Sequence, residues 1–242
     1  MNTRVFTAEN LSLKHNILLD ESESHYFLKV MRSNIGETVE LFSDENFASA
    51  KFTGLKNKLP ELEILNIKPY YETFPKISVF QCFPESAKSE LAVQKLTELG
   101  IDEIIFLESE NSITISSNKK LKLIKVLREA VRQSKRYSIP VLKFDRLNNF
   151  INSISKNCES PQDTKNIILE PTGKKLSNLF EYSSFKQINL IVGPEKGFSA
   201  SELNSFSLSG GDLIKINNNI LRTETAVISA ASIFGLLKSE TF

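Results

Sequence analysis

The residues with the widest chemical reach in this chain sit in two loops near its carboxyl end. An apolar run over residues 188–192 stops abruptly at Gly193-Pro194-Glu195-Lys196-Gly197-Phe198-Ser199. A second, over 212–216, stops at Asn217-Asn218-Asn219-Ile220-Leu221-Arg222-Thr223-Glu224-Thr225-Ala226. Each run has strand length and leads into a helical pattern, the arrangement in which open α/β sheets bind ligands beyond the carboxyl ends of their strands. A carboxylate placed there can accept a proton, and a guanidinium can steady a developing oxyanion. Glu195, Arg222 and Glu224 are the charged side chains in these loops to which a functional role is open. Turn chemistry explains much of the remainder: Gly193 and Gly197 permit close backbone approach, Pro194 fixes the turn, and Ser199 with Glu202 forms a capping box. It gives no reason for Glu195 in so tight a turn, nor for Arg222 before a helix amino terminus, where a cation is unfavourable. Glu224 also reads as a favourable first-turn charge, and Thr223 or Thr225 as the helix cap. The spacings of a P-loop and of the G-x-G-x-x-G dinucleotide turn are both missing, which argues against those nucleotide sites.

The elements that must position these loops divide into two kinds. Up to about residue 70, apolar and polar residues alternate over 38–42, 47–52 and 61–67 with brief connections such as Asn34-Ile35-Gly36-Glu37, predicting a small antiparallel barrel or sheet. One short helix is expected over 25–31. Pro69 and Pro75 mark a linker. Beyond it, a strand over 77–83, a helix over 87–99 closed by Gly100 and a strand over 101–107 make a βαβ unit. Further strands are expected over 141–144, 167–169, 190–192 and 213–216, giving an α/β fold whose mostly parallel sheet is covered on both faces. Two domains follow, 1–70 and 71–242. The stretch 226–237 is small and apolar nearly all round, so it is expected to be buried or to pack against another subunit.

The chain has 242 residues and a formal net charge of +1, so no global field announces a polyanionic partner. Local charge does: Lys119, Lys120, Lys122, Lys125, Arg128, Arg132, Lys135 and Arg136 face a single acid, Glu129, between residues 119 and 136. On a helix, Leu123, Ile124, Leu127, Ala130, Val131 and Ser134 share one side and most of the cations the other, which predicts a helix docked on the sheet with a basic face outward, either a solvated face or, given its shortage of acids, an electrostatic footprint for nucleic acid. Arg4, Lys29 and Arg32 add cations in the first domain. Cys82 and Cys158 lack metal-ligand spacing, no apolar signal segment opens the chain, and no run is long enough to span a bilayer. The expectation is a reduced, cytoplasmic protein without metal or membrane association.

Several segments carry a family resemblance: His25-Tyr26-Phe27-Leu28-Lys29-Val30-Met31-Arg32, Gln94-Lys95-Leu96-Thr97-Glu98-Leu99-Gly100-Ile101 and Glu129-Ala130-Val131-Arg132-Gln133-Ser134-Lys135-Arg136. Most specific are Gly193-Pro194-Glu195 and Ile220-Leu221-Arg222-Thr223-Glu224-Thr225-Ala226. With these the chain resembles, nearly end to end, the ribosomal RNA small subunit methyltransferase E family, the 16S rRNA (uridine, 3 position) methyltransferases of the SPOUT superfamily. The resemblance implies a PUA-like β-barrel that binds RNA, followed by a methyltransferase domain with a carboxyl-terminal trefoil knot, working as a homodimer on 16S rRNA within the small ribosomal subunit. It implies S-adenosyl-L-methionine held by three loops: Glu170-Pro171-Thr172-Gly173; Val192, Gly193, Pro194, Glu195 and Gly197; and Ile216, Asn217, Asn218, Ile220, Leu221, Thr225 and Ala226. Arg222 would stabilise charge on the uridine oxygens, with Glu195 or Glu224 as base. Arg4, Lys29, Arg32, Lys125, Arg128, Arg132 and Arg136 would meet RNA. Two departures fall in these loops: Lys196 stands where the family usually has glycine, and Asn217-Asn218 where it has leucine-glycine. A noncatalytic RNA-binding protein of the same fold, and a SPOUT enzyme for another RNA position, are the alternatives.

Overall fold

Short stretches of alternating polarity become strands in the amino-terminal part of the chain, and longer apolar runs become buried parallel strands after it. The computed structural model describes every residue except 1–2, 14, 69–72, 85, 109–114, 157–162 and 241–242. Residues 69–72, half of the expected linker at 68–75, and the second cysteine, Cys158, lie outside the described residues. Two compact units are present, Met1–Tyr71 with Lys135–Ile139, and Glu72–Ser134 with Pro140–Phe242.

The first unit is a five-stranded sheet of β1 (Arg4–Phe6), β2 (Asn16–Leu18), β3 (Thr38–Phe42), β4 (Phe47–Lys56) and β5 (Leu59–Lys68), in the order β1-β3-β4-β5-β2. All pairs are antiparallel except β1 with β3, which departs from the wholly antiparallel expectation. The helix begins earlier than its apolar pattern predicts: α1 spans Glu21–His25 and continues as a π-helical turn, Tyr26–Val30. Its start is set by Asp20, whose side chain accepts from the Glu23 N–H at 2.8 Å. The helix delivers Phe27 to the core, edge-on to Phe52 at 5.1 Å.

Charge also organises this unit. Arg4 is 4% exposed; it donates to the Glu40 carboxylate and to the carbonyls of Arg136 (3.0 Å) and Lys135 (2.8 Å). Glu40 receives the Lys68 ammonium and the Tyr137 hydroxyl (2.8 Å) as well, and the Arg4 guanidinium lies 4.7 Å from the Tyr137 ring centre. Arg4 is therefore a buried clamp on the segment Lys135–Ile139 and not the RNA-facing cation expected: its counter-charge, Glu40, is invisible until β1 pairs with β3.

The second unit opens with β6 (Thr73–Phe74), paired antiparallel to β13 (Ser239–Glu240). Its main sheet holds β7 (Lys76–Cys82), β8 (Glu103–Glu108), β9 (Val141–Arg146), β10 (Thr164–Lys175), β11 (Gln187–Val192) and β12 (Asp212–Lys215), in the order β12-β10-β11-β7-β8-β9 and parallel throughout. Helices α2 (Ser86–Glu98), α3 (Ser117–Ser134), α4 (Leu147–Lys156), α5 (Ala200–Leu208) and α6 (Thr223–Gly235) complete it. On one face, Phe150 of α4 and Phe206 of α5 close over Cys82, Ile105, Leu107, Ile168 and Ile191. On the other, α6 packs on β7, β11 and α2. Burial, helped by the charge of Glu202, pushes the Cys82 thiol up to about 12, so it is a packing residue at neutral pH. Among the described residues no helix is long and apolar enough to cross a membrane.

The Glu40 cluster has a measurable signature. Burial alone would raise its carboxyl, but hydrogen bonds from Lys68, Tyr137 and Arg4 outweigh that and hold it at about 2. A depressed value stabilises the fold fully above the ordinary carboxyl range, and that contribution disappears as pH falls toward 2. Glu40→Gln should therefore lower the urea-unfolding free energy at pH 7 by about 3 kcal/mol. The loss should shrink in the same titration repeated at pH 3.

Candidate active site at the carboxyl ends of three strands

Parallel strands end at a common edge, and here two such ends converge with an excursion inside the strand between them. A cavity of about 720 Å³ is lined by Leu169, Glu170 and Pro171 from β10, by residues 192–198 after β11, and by residues 214–217 and 219–223 with Ala226 around β12 and the start of α6. That volume suits a small organic ligand. Three predicted loops thus meet, but not as drawn from the sequence. β10 does not end at Leu169: it runs to Lys175, and both Leu169 and Lys174 register with Ile214 of β12, so residues 170–173 form an excursion within one strand. Proline and glycine in this stretch read as a turn, whereas they shape a bulge. Thr172, Gly173, Asn218 and Thr225 stand outside the lining residues. Thr172 instead donates its N–H and hydroxyl to Glu170 (3.2 and 3.0 Å).

Local chemistry explains each loop. After β11, Ser199 and Glu202 make the predicted capping box, with the Ser199 N–H donating to Glu202 at 2.6 Å. Gly197 has φ +76 and closes a turn onto the Pro194 carbonyl at 2.8 Å. After β12, the Asn217 side chain accepts from the Asn219 N–H at 2.8 Å, an Asx turn that does locally what a glycine would do by conformational freedom. Helix α6 begins at Thr223, with Arg222 as its N-cap and no capping side chain. Thr223 and Thr225 are therefore not the caps expected, because the backbone is already helical at both.

Arg222 and Glu195 both line the cavity; Glu224 does not. Glu224 is 9% exposed, and its Oε2 is buried without a hydrogen-bond partner among the described residues. Glu195 is instead 59% exposed at its side chain and paired with Lys88 from the first turn of α2. The Lys88 hydrogen bond and charge, with a smaller contribution from Arg222, hold the Glu195 carboxyl below the usual range. Lys88, Lys196 and Lys215 join Arg222 around the cavity, opposed by Glu170 and Glu195. Lys88 escaped sequence analysis because it lies far from either loop in the chain, in a helix whose pattern signals only packing. Among the described residues no cluster of His, Cys, Asp and Glu forms a metal site.

The basic helix is partly answered by acids. Glu90 of α2 bridges Lys119 and Lys122, each at 2.9 Å, and Glu129 pairs with Arg132 at 2.8 Å. The Arg132 side chain is only 10% exposed, and Arg136 is turned onto the Ser138 hydroxyl (2.7 Å), so neither projects as predicted. Helix α3 packs chiefly on α2, which supplies the missing negative charge. Lys125 is exposed and Arg128 half-buried; in the first unit Lys29 and Arg32 are exposed.

Comparison with known proteins bears directly on this arrangement. Residues 72–235 match the RNA methyltransferase domain, and residues 19–65 match the RNA methyltransferase PUA domain, which defines the class: an RNA methyltransferase with a PUA domain before its α/β unit. A Rickettsia conorii protein named ribosomal RNA small subunit methyltransferase E is 30% identical over 99% of this chain and 95% of its own length. The chain belongs to the ribosomal RNA small subunit methyltransferase E family. The crystal structure of a member from Neisseria gonorrhoeae bound to S-adenosyl methionine has the same fold, with a TM-score of 0.81, 24% identity and 98% of both chains covered. A Legionella pneumophila structure in complex with bound SAM is 25% identical, with a TM-score of 0.78 and 97% of both chains covered.

The pairing of β10 with β12 behind the cavity depends on a glycine that has no room for a side chain. A Cβ on Gly173 would lie 2.5 Å from the Leu213 carbonyl oxygen, a backbone atom of β12, whereas one on Gly197 would meet nothing within 4 Å. Gly173→Ala should therefore cost about 2 kcal/mol or more, against about 1 kcal/mol for the left-handed Gly197→Ala. Thermal unfolding of the two variants side by side checks this order.

Proposed function

We propose that this protein transfers a methyl group from S-adenosyl-L-methionine to the imino nitrogen at the 3 position of a uridine in 16S rRNA of the small ribosomal subunit, as a cytoplasmic homodimer. The observation that carries the reading is the convergence of Glu195 and Arg222 on one cavity built from the ends of β11 and β12 and the excursion within β10. Its size fits the donor, and Leu169, Val192, Leu203, Ile214 and Leu221 offer an apolar wall for an adenine ring beside backbone groups of the loops. The two relatives with bound donor support the same assignment. Residues 170–171, 192–195, 197, 216–217, 220–221 and 226 would hold it. The donor, once bound, supplies an activated methyl group, so the chain need only manage the proton and the charge on the uridine.

Removing the imino proton spreads negative charge over the two flanking carbonyl oxygens. Arg222 stands at the cavity with a planar fork of donors suited to such an oxygen. Glu195 is the favoured base, because it lines the cavity and Glu224 does not. Its lowered carboxyl keeps it ionised at neutral pH and makes it a weak acceptor, so most of the barrier reduction falls to Arg222. Lys29 and Arg32 in the PUA unit, and Lys125 and Arg128 on α3, would meet RNA phosphates. Leu236, 76% exposed at the end of α6, supports a subunit contact along that helix. The return of β10 to β12 after residues 170–173, with Gly173 pressed on Leu213, supports the trefoil threading that the family resemblance implies.

Two measurements test the reading together. Titration calorimetry should detect donor binding, and mapping of modified nucleotides in rRNA from a deletion strain should lack one 3-methyluridine of 16S rRNA. An unchanged modification map refutes the assignment. Arg222→Ala should lower the single-turnover rate on small subunits by about a hundredfold with donor affinity little changed, because oxyanion charge develops only in the transition state. Arg222→Lys should recover little of that rate.

A further inference from the structure

We infer that Lys88 is a ligand for a backbone phosphate of the RNA substrate, and that the Glu195 carboxylate holds that phosphate's place until RNA arrives. This rests on the reading of the chain as an rRNA methyltransferase and adds to it a residue, a ligand atom and an order of events.

The cavity carries more positive charge than its donor needs. Lys88, Lys196, Lys215 and Arg222 line it against Glu170 and Glu195, and Glu170 is already occupied by Thr172. A sulfonium donor is itself cationic, so surplus cations work against it; a phosphodiester is the component of the reaction that they suit. Lys88 sits in the first turn of α2, where the helix dipole disfavours a cation, so helix electrostatics give no reason for an ammonium there.

The two partners of the ion pair differ in a telling way. The Lys88 side chain is 20% exposed and lies along the cavity wall, whereas Glu195 is 59% exposed in the turn between Gly193 and Gly197. The cation is therefore the fixed member and the carboxylate the movable one. Because its carboxylate end is open to water, the pair is partly screened, so a phosphate entering the same position can displace the carboxylate. Displacement has a chemical consequence. The Lys88 hydrogen bond is the largest influence lowering the Glu195 carboxyl, so its loss raises the proton affinity of Glu195 when the uridine is in place. Lys88 would thus bind the substrate and, by releasing the Glu195 carboxylate to the phosphate's competition, switch on the base.

Competition between carboxylate and phosphate for one ammonium gives opposite signs for the two partners. Binding of the full-length protein to unmethylated small subunits, with S-adenosylhomocysteine present to prevent turnover, can be followed across a series of salt concentrations. Lys88→Met should weaken binding about tenfold and reduce the salt slope by about one phosphate equivalent. Glu195→Gln should tighten binding about threefold or more, since it removes the internal competitor. The double variant should behave as Lys88→Met does. An unchanged salt slope in Lys88→Met, or weaker binding in Glu195→Gln, would overturn the inference and leave Lys88 as a support for the Glu195 turn. Failure of the wild-type protein to methylate small subunits would remove the functional reading itself, an outcome distinct from normal methylation with unshifted variants.

Discussion

The parallel pairing of β12, β10 and β11 is the constraint on which the site depends. Parallel neighbours end at the same edge of a sheet, whereas antiparallel neighbours send successive loops to opposite edges. Because Leu169 registers with both Val192 and Ile214, the residues that follow each of them are delivered side by side. The next strand, β7, adds the start of α2 to that edge and with it Lys88. No single loop builds the cavity. It arises from the strand order, which gathers four separate segments of chain around one cavity.

Two glutamates illustrate how environment divides the roles of identical side chains. Glu40 accepts from three donors in a mostly buried setting, and removal of any partner would leave charge stranded away from water. It therefore holds one arrangement, with Lys135–Ile139 fastened to the first unit. Glu195 has Lys88 as its ion-pair partner and lies open to water, so its interactions can be exchanged at little cost. Permanence suits a structural clamp, and exchangeability suits the role proposed for Glu195.

Small backbone devices support this division. The Asx turn at Asn217, the left-handed Gly197 and the capping box of Ser199 each set the direction of one loop with a few local hydrogen bonds. Gly173 works differently, through the absence of a side chain where β10 crosses close to β12. The N-cap Arg222 combines both kinds of role: its backbone starts α6, while its side chain, free of any capping duty, stands at the cavity.

What the amino-acid order determined by itself was everything governed by neighbours a few residues apart. Strand periodicity, the Gly100 stop after α2, the capping box and the misplaced charge of Arg222 were all legible, because a turn or cap is decided within one helical turn of chain. Even there, polarity patterns misplaced the starts of α1 and α6 and ended β10 too soon, since caps and sheet pairing override periodicity at element ends. Tertiary structure alone decided which charges meet. Arg4 looked exposed until β1 lay beside β3 and Glu40; α3 looked short of acids until α2 supplied Glu90; and Lys88 looked like an ordinary helix residue until α2 was set against the turn that holds Glu195. Electrostatic partners are chosen by distance in space, and for these residues that distance is fixed by the order of strands in the sheets and by which helices pack together.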